Sequence, residues 1–273
     1  MKKMEPGHII HYYFKRLDKY MEKMKKDFNE ESIHLFRVEV KKLRAFLRML
    51  RPGMEDPGLL KFPRPFKKMY AIAGKIRDRQ LCLKRMNEYD QGNDNRSMDT
   101  IQGWEKEIEE LTGKKDDFLS KGELAEVEEK IIKQVPVIVG DALLKNFFSQ
   151  KLGAIRQVIS GGRYRDAELH SIRKSIKDIT YINGIFRDDF KTPLPFLRWN
   201  KSEVKKAEDL AHTLGLFNDS CIALSFLMPA DIKKASTGKK KYLLSVRQKW
   251  LTEKRKLKKE ILKELPAINL NIF

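Results

Sequence analysis

Residues 32–51, SIHLFRVEVKKLRAFLRMLR, carry two stripes at helical spacing. Ile33, Phe36, Val40, Leu43, Leu47 and Leu50 step by three and four and so share one face of a helix. His34, Arg37, Lys41, Arg44, Arg48 and Arg51 keep the same rhythm one residue later. One residue turns about 100° around an α-helix. The apolar seam therefore has a rail of cationic and imidazole groups beside it. Such a helix can enter a core and still hold hydrogen-bond donors along the edge of that core.

The design returns 136 positions later. Leu169, Ile172, Ile176 and Ile179 form the seam, and His170, Arg173 and Lys177 follow one residue behind. Two helices with one His-x-x-Arg-x-x-x-Lys pattern, in one phase to their seams, point to an internal repeat. Ala73-Gly74-Lys75-Ile76-Arg77-Asp78 and Leu214-Gly215-Leu216-Phe217-Asn218-Asp219 form a second matched pair, offset by 141. The five extra residues fall between the two landmarks, where loops accommodate insertions.

Strand signals are poor, and long three-four periodic segments alternate with Pro, Gly and Asn punctuation. The expected helices run from His8 to about Asp27, then Ser32–Arg51 with Ser32 as its cap. Pro52-Gly53 and Pro57-Gly58 end that second helix. A third is expected from about Phe62 to Tyr89, and a fourth stretch over about Met98–Gln134, broken near Gly113 or Gly122. The series restarts at Pro136 with a helix to about Ser160. It continues with about Asp166–Asp189, a helix after Pro193 and Pro195, and a basic one over about Lys239–Leu265. The expected fold is all-α: two pseudo-twofold-related four-helix bundles spanning residues 6–135 and 136–265 of one domain, with a basic groove or pore at the centre. Gly74 and Gly215 are expected to mark kinks or fresh helix starts, with Asp78 and Asp219 as caps.

Composition narrows the partners. The chain has 273 residues, 57 Lys and Arg against 38 Asp and Glu, and a formal charge of +19. That excess points to a polyanion. Cys82 and Cys221 lie far apart, outside any metal-ligand spacing, and are expected as buried thiols in a reducing cytoplasm. The N-terminus MKKMEPGHII has no signal-peptide pattern, and polar residues break each apolar run before it reaches bilayer length. The expectation is a soluble cytoplasmic protein with no membrane partner, cofactor or metal.

HLFRVEVKKLRAFLRML closely resembles the signature of the CHAD family, named for its histidine-containing α-helical domain. LHSIRKSIKDITYI resembles that family's second, weaker signature. AGKIRDRQL and LGLFNDSCI resemble its Gly-x-x-Arg/Asn-Asp elements. The resemblance runs in order from about Pro6 to Leu265. It implies two helical bundles around a basic groove, binding of inorganic polyphosphate, and association with polyphosphate granules. Carried over by position, it assigns His34, Arg37, Lys41, Lys42 and Arg44 from the first signature, and His170, Arg173, Lys174 and Lys177 from the second. Asp178 and Thr180 depart from the pattern, where basic residues are more usual. Arg48 extends the first rail, and Lys15, Lys19 or Lys151 are candidates to fill gaps in the second.

Polyphosphate has no bases to read, so its recognition rests on charge and oxygen geometry. Arg offers a planar fork and Lys a mobile point charge. A three-four stripe advances about 5 Å per step, which suits a linear anion. Histidines at the head of each rail predict tighter binding as pH falls from about 8 to 6. The rival binding partner is nucleic acid, though no zinc-finger spacing or RNA-binding aromatic motif is present. The enzyme rival rests on Glu126-Val127-Glu128-Glu129-Lys130, which spells the Glu-x-Glu-x-Lys motif of triphosphate tunnel enzymes. That motif needs a strand, where alternate residues share a face; the surroundings here are helical, and no catalytic activity is expected. The acidic segment Trp104–Lys130 is expected to form a solvated face or to compensate basic neighbours, and could serve as an adaptor surface. His8 and His11 alone are too few to ligate a metal.

Overall fold

α1 (Pro6–Asp27) starts on a proline, whose fixed φ and missing N–H suit a first helical position. It stops at Phe28, where the chain turns left-handed (φ 47°) and the Phe28 amide returns to the Met24 carbonyl at 2.9 Å. α2 (Glu30–Leu50) begins two residues earlier than expected. Its cap is Asn29, not Ser32: the Asn29 side chain accepts the Ser32 amide at 2.8 Å. Glu30 and Glu31 then lie in the first turn, where the helix dipole favours negative charge. A 3₁₀ turn at Arg51–Gly53 ends it.

The structure, a computed structural model, describes residues 5–53, 61–90, 98–114, 118–192, 194, 196–197, 199–268 and 270. Pro57-Gly58, Pro193 and Pro195 lie outside that set. Among the described residues the regular elements are all helices. α3 (Arg64–Asp90) is followed by α4 (Met98–Thr112) and α5 (Lys121–Ile132), so the fourth stretch breaks between the two expected glycines. A capping box opens α5: Ser120 accepts the Glu123 amide while Glu123 accepts the Ser120 amide. α6 (Asp141–Gly161) starts after Gly140 rather than at Pro136, and Gly162 closes it at φ 61°. α7 (Asp166–Gly184) runs into a π turn at Ile185–Asp189. α8 (Lys201–Ser225) opens with a second capping box, Asn200 and Glu203. A short α9 (Pro229–Lys233) precedes α10 (Thr237–Glu264).

Both central seams are buried as their spacing demands. Ile33, Phe36, Val40, Leu43 and Leu50 are fully enclosed on α2, as are Leu169 and Ile179 on α7. Helix neighbours follow one order in the two halves. α1 packs on α2 and α2 on α3; α6 packs on α7 and α7 on α8. Across the halves, α2 meets α7 and α3 meets α8. The apolar core does not divide at residue 135. One cluster takes seams from α1, α2, α5, α6 and α7 with the neighbouring parts of α3 and α8. A smaller one is made by the far ends of α3 and α8 with α4 and α10, around Trp104 and Trp250.

Three further expectations change. Trp104, Leu124 and Val127 are buried, so the acidic segment is not simply a solvated face, and Glu107 pairs with Arg79, which is the compensation of basic neighbours expected as the alternative. Cys82 is buried, but Cys221 is half-exposed, with its thiol 3.8 Å from an Asp166 oxygen. One stretch, Lys201–Lys233, is long and apolar enough by composition to cross a membrane. Its Leu210, Leu214, Phe217 and Ala223 are buried against neighbouring helices, which accounts for the apolar run.

The cap assignment has a direct consequence. Asn29→Ala should lower the unfolding free energy by about 1 kcal/mol in urea titration, since it removes the acceptor for an orphan amide. Ser32→Ala keeps the capped amide and should cost clearly less.

Candidate functional site

The packing of α2 against α7 turns the two rails toward one open cleft of about 730 Å³. Lys41, Arg44 and Arg48 line it from α2; His170, Arg173, Lys174 and Lys177 line it from α7; Lys151 reaches in from α6. Tyr70, Tyr181, Ser171 and Ser175 complete much of the wall, and Asp178 is the one carboxylate among its described lining residues. Each rail works because its seam is locked in the core, leaving the cations at the helix edge to face a common space.

Electrostatic crowding marks the centre. Burial pushes the Lys41 ammonium down to about 8, helped by Arg37, Arg173 and Lys177, while Asp219 acts in the opposite sense. Burial also lowers Lys177, with Arg173 next in effect. His34 stands exposed at its edge, but partial burial and then Arg77, Lys41 and Arg37 hold its pKa below the usual histidine value. On α3, burial raises the Asp78 carboxyl despite nearby Arg37. Cations from both halves thus disfavour one another's charged state, the condition an anionic ligand relieves.

Arg37 does not line the cleft. Its guanidinium lies across α3, donating to the Tyr70 carbonyl at 3.3 Å and sitting 4.7 Å from the centre of the Tyr70 ring. Arg44 approaches the same ring at 5.5 Å. Gly74 makes this possible: a Cβ there would stand 2.5 Å from Arg37 Nη1. The partner position is roomier, with Arg173 Nε 4.0 Å from a Cβ built on Gly215. α3 and α8 run unbroken through these glycines, so neither is a new helix start. Gly74 marks the close approach of an arginine from the neighbouring helix, whereas Gly215 meets its arginine at ordinary contact distance. Asp78 and Asp219 accordingly belong to the charge cluster rather than to caps.

The two histidines differ. His170 Nδ1 lies 3.0 Å from Asn218 Oδ1. A carbonyl oxygen can only accept, so Nδ1 carries the proton and Nε2 is left for another partner. His34 heads its rail beyond the cleft wall, with Arg77 as its nearest strong electrostatic influence after burial.

Two cleft cations already have a counter-ion. Asp178 is only 4% exposed; it accepts from the Arg48 guanidinium and lies 2.8 Å from Lys151 Nζ. The departure noted at Asp178 in the sequence therefore ties α2, α6 and α7 together at one end of the cleft. Lys42 is turned away: one residue past Lys41 is about 100° of rotation, and its Nζ is 3.7 Å from Asp189. On that same side Arg16 donates to buried Glu39 at 2.7 Å. Lys15 and Lys19 are exposed on α1 and do not line the cleft. Tyr70 and Tyr181 were missed by sequence reasoning. A usable signal exists, for Tyr181 sits four residues after Lys177, whose ammonium is 5.7 Å from its ring.

The Glu126–Lys130 motif lies inside α5. Val127 is buried between the two glutamates, Glu128 binds His11 Nδ1 at 2.6 Å, and Glu126 pairs with Lys130 one turn on. Among the described residues no group of three or more His, Cys, Asp or Glu is placed to hold a metal.

These features define an all-helical protein whose central helices wall a basic cleft. Residues 8–228 match the CHAD domain, most of the chain, and the protein belongs to that family. The crystal structure of the CHAD domain from the plant Ricinus communis matches with a TM-score of 0.69 over 98% of this chain and 92% of that one. At 15% identity the likeness is one of fold. No curated protein matches the sequence.

Gly74→Ala should displace Arg37 without unfolding the protein, because the clashing atom is the end of a flexible side chain. Its better helix propensity, about 1 kcal/mol, offsets the lost contact, so thermal stability should hold. Loss of the Arg37–Tyr70 contact can be read from the variant's crystal structure, with Gly215→Ala leaving Arg173 in place.

Proposed function

We propose that the protein binds inorganic polyphosphate in this cleft and acts as a binding module rather than an enzyme, in the cytoplasm and on polyphosphate granules. The observation that supports this reading most is the meeting of the α2 and α7 rails on one cavity wall. A phosphate chain presents an anionic oxygen at every repeat, and cations one turn apart on facing helices can follow it. Family membership is in keeping with this. Nucleic acid is the rival partner, but Tyr70 is covered by Arg37 and Arg44 rather than offered as a run of stacking faces.

Binding should be steeply salt-dependent, because each neutralised phosphate releases counter-ions. Arg44→Ala combined with Arg173→Ala should weaken polyphosphate binding and make the slope of log affinity against log salt less steep by about 1 per cation removed. Fluorescence anisotropy with labelled polyphosphate, competed by unlabelled polyphosphate or RNA of equal phosphate count, measures both. RNA competing equally well would favour the nucleic-acid reading.

The pH dependence centres on Lys41. A bound anion favours its protonated form, so the bound pKa exceeds the free value of about 8. Affinity is then fully expressed below about 8 and falls as pH rises through the bound value. Because the surroundings hold His34 below its ordinary value, a histidine contribution is confined to the acid side. Lys41→Arg should flatten the profile between pH 7.5 and 9.5 by roughly the full Lys41 effect; an unchanged fall would remove Lys41 from the site.

Asp178 opposes an incoming anion and occupies Arg48 and Lys151. Asp178→Asn should tighten polyphosphate binding several-fold, about 1 kcal/mol, and steepen its salt dependence. It should also lower stability, because two partly buried cations lose their partner. Titration calorimetry and urea unfolding on one preparation separate the two effects.

A further inference from the structure

A second cavity, of about 440 Å³, adjoins the cleft between the C-terminal half of α2 and the start of α3. The two share Arg44, Arg48 and Tyr70 on their walls. Their chemistry differs. This one has an apolar floor of Val40, Leu47, Phe62 and Phe66, and the Phe62 and Phe66 rings stack at 4.3 Å with 13° between their planes. Arg44, Arg51, Lys61 and Lys67 surround that floor, and no carboxylate is among the described lining residues.

We propose that this pocket takes the nucleobase of a nucleoside polyphosphate whose phosphate chain runs past Arg44 and Arg48 into the basic cleft. An aromatic floor under a cationic rim is complementary to a flat heterocycle joined to an anion. Phe62 and Phe66 are buried and stack on each other, so the base would lie against the guanidinium plane of exposed Arg44 and rest on the apolar floor. A bare phosphate chain gains nothing from Leu47, Phe62 and Phe66. A hydrocarbon tail would gain from that floor but would lie against the charged guanidinium of Arg44. The cavity falls within the size range of small-ligand sites. It holds one base, not a succession of them, so it suits the end of a phosphate chain rather than a polynucleotide track. The position follows from the fold: α2 carries the cationic rail along one edge and brings Val40 and Leu47 of its seam to the pocket, while Phe66 enters from the first turn of α3 and Phe62 from the segment just before it.

The inference deepens the polyphosphate reading, and ATP compared with inorganic tripolyphosphate separates the two. Both are measured by calorimetry on the full chain, at equal ionic strength and without divalent metal. ATP is expected to bind at least tenfold more tightly than tripolyphosphate. Phe62→Leu keeps the floor apolar but changes its shape, and should bring ATP down to the tripolyphosphate level while leaving tripolyphosphate unchanged. A melting curve checks that the variant is folded, and Lys67→Ala, an exposed position, provides a second variant that should weaken ATP more than tripolyphosphate. Tripolyphosphate binding as well as ATP in the wild type would overturn the pocket and leave the cleft reading intact. An ATP advantage that survives in both variants would also overturn it, since the base would then lie elsewhere. ATP bound with tripolyphosphate failing to bind would support the pocket while counting against the cleft. No binding of either would sink both.

Discussion

Gathering cations at the meeting of α2 and α7 is the constraint to which the neighbouring structure answers. Burial disfavours the Lys41 ammonium most, and Arg37, Arg173 and Lys177 add to that effect. Like charges brought together in a partly dry setting cost free energy unless something local offsets it. Each offset here is visible. Arg37 spreads its charge over the Tyr70 ring and carbonyl. Arg48 and Lys151 share Asp178. Asp219 reaches toward Lys41 and His34 from α8. The offsets are incomplete at Lys41 and Lys177, whose charged forms remain disfavoured.

The helices that bear these groups have little freedom to relieve the strain by moving. Ile33, Phe36, Val40 and Leu43 are buried on the seam beside the α2 rail, and Leu169, Ile172 and Ile176 do the same for α7. Truncating any one of them would open a cavity at a cost of about a few kcal/mol. The rails are therefore held in place by the hydrophobic seams and not by the charges themselves. A site fixed in this way loses little conformational entropy when an anion arrives.

Much of this arrangement can be read from the sequence, because the seam and the rail share one helical period. The all-helical class, the phase of the two rails and the break between α4 and α5 all follow from spacing and punctuation. What spacing cannot supply is the neighbour across a gap. Gly74 looks like a fresh helix start until Arg37 is seen lying over it. Asp178 looks like a lost cation until Arg48 and Lys151 arrive from two other helices. Lys42 shares the signature of its neighbours, yet rotation of about 100° takes it to Asp189 on the other side. Asn29 outcompetes Ser32 as a cap for a similar reason: either type can cap, and the chain entering from Phe28 decides which one is in place.

The carboxylates sharpen the same point about charge. A net +19 could be spread evenly, and an evenly spread excess would attract any polyanion weakly over the whole surface. Here the acids are used locally. Glu39 takes Arg16 on the side of α2 away from the cleft, Asp189 takes Lys42, Glu107 takes Arg79, and Glu253 takes Arg85. Among the described residues lining the cleft, only Asp178 performs that task. Neutralisation outside the cavity and its scarcity inside concentrate the positive potential where α2 faces α7. Packing of two apolar seams thereby fixes which few cations are left to face one another across the cleft.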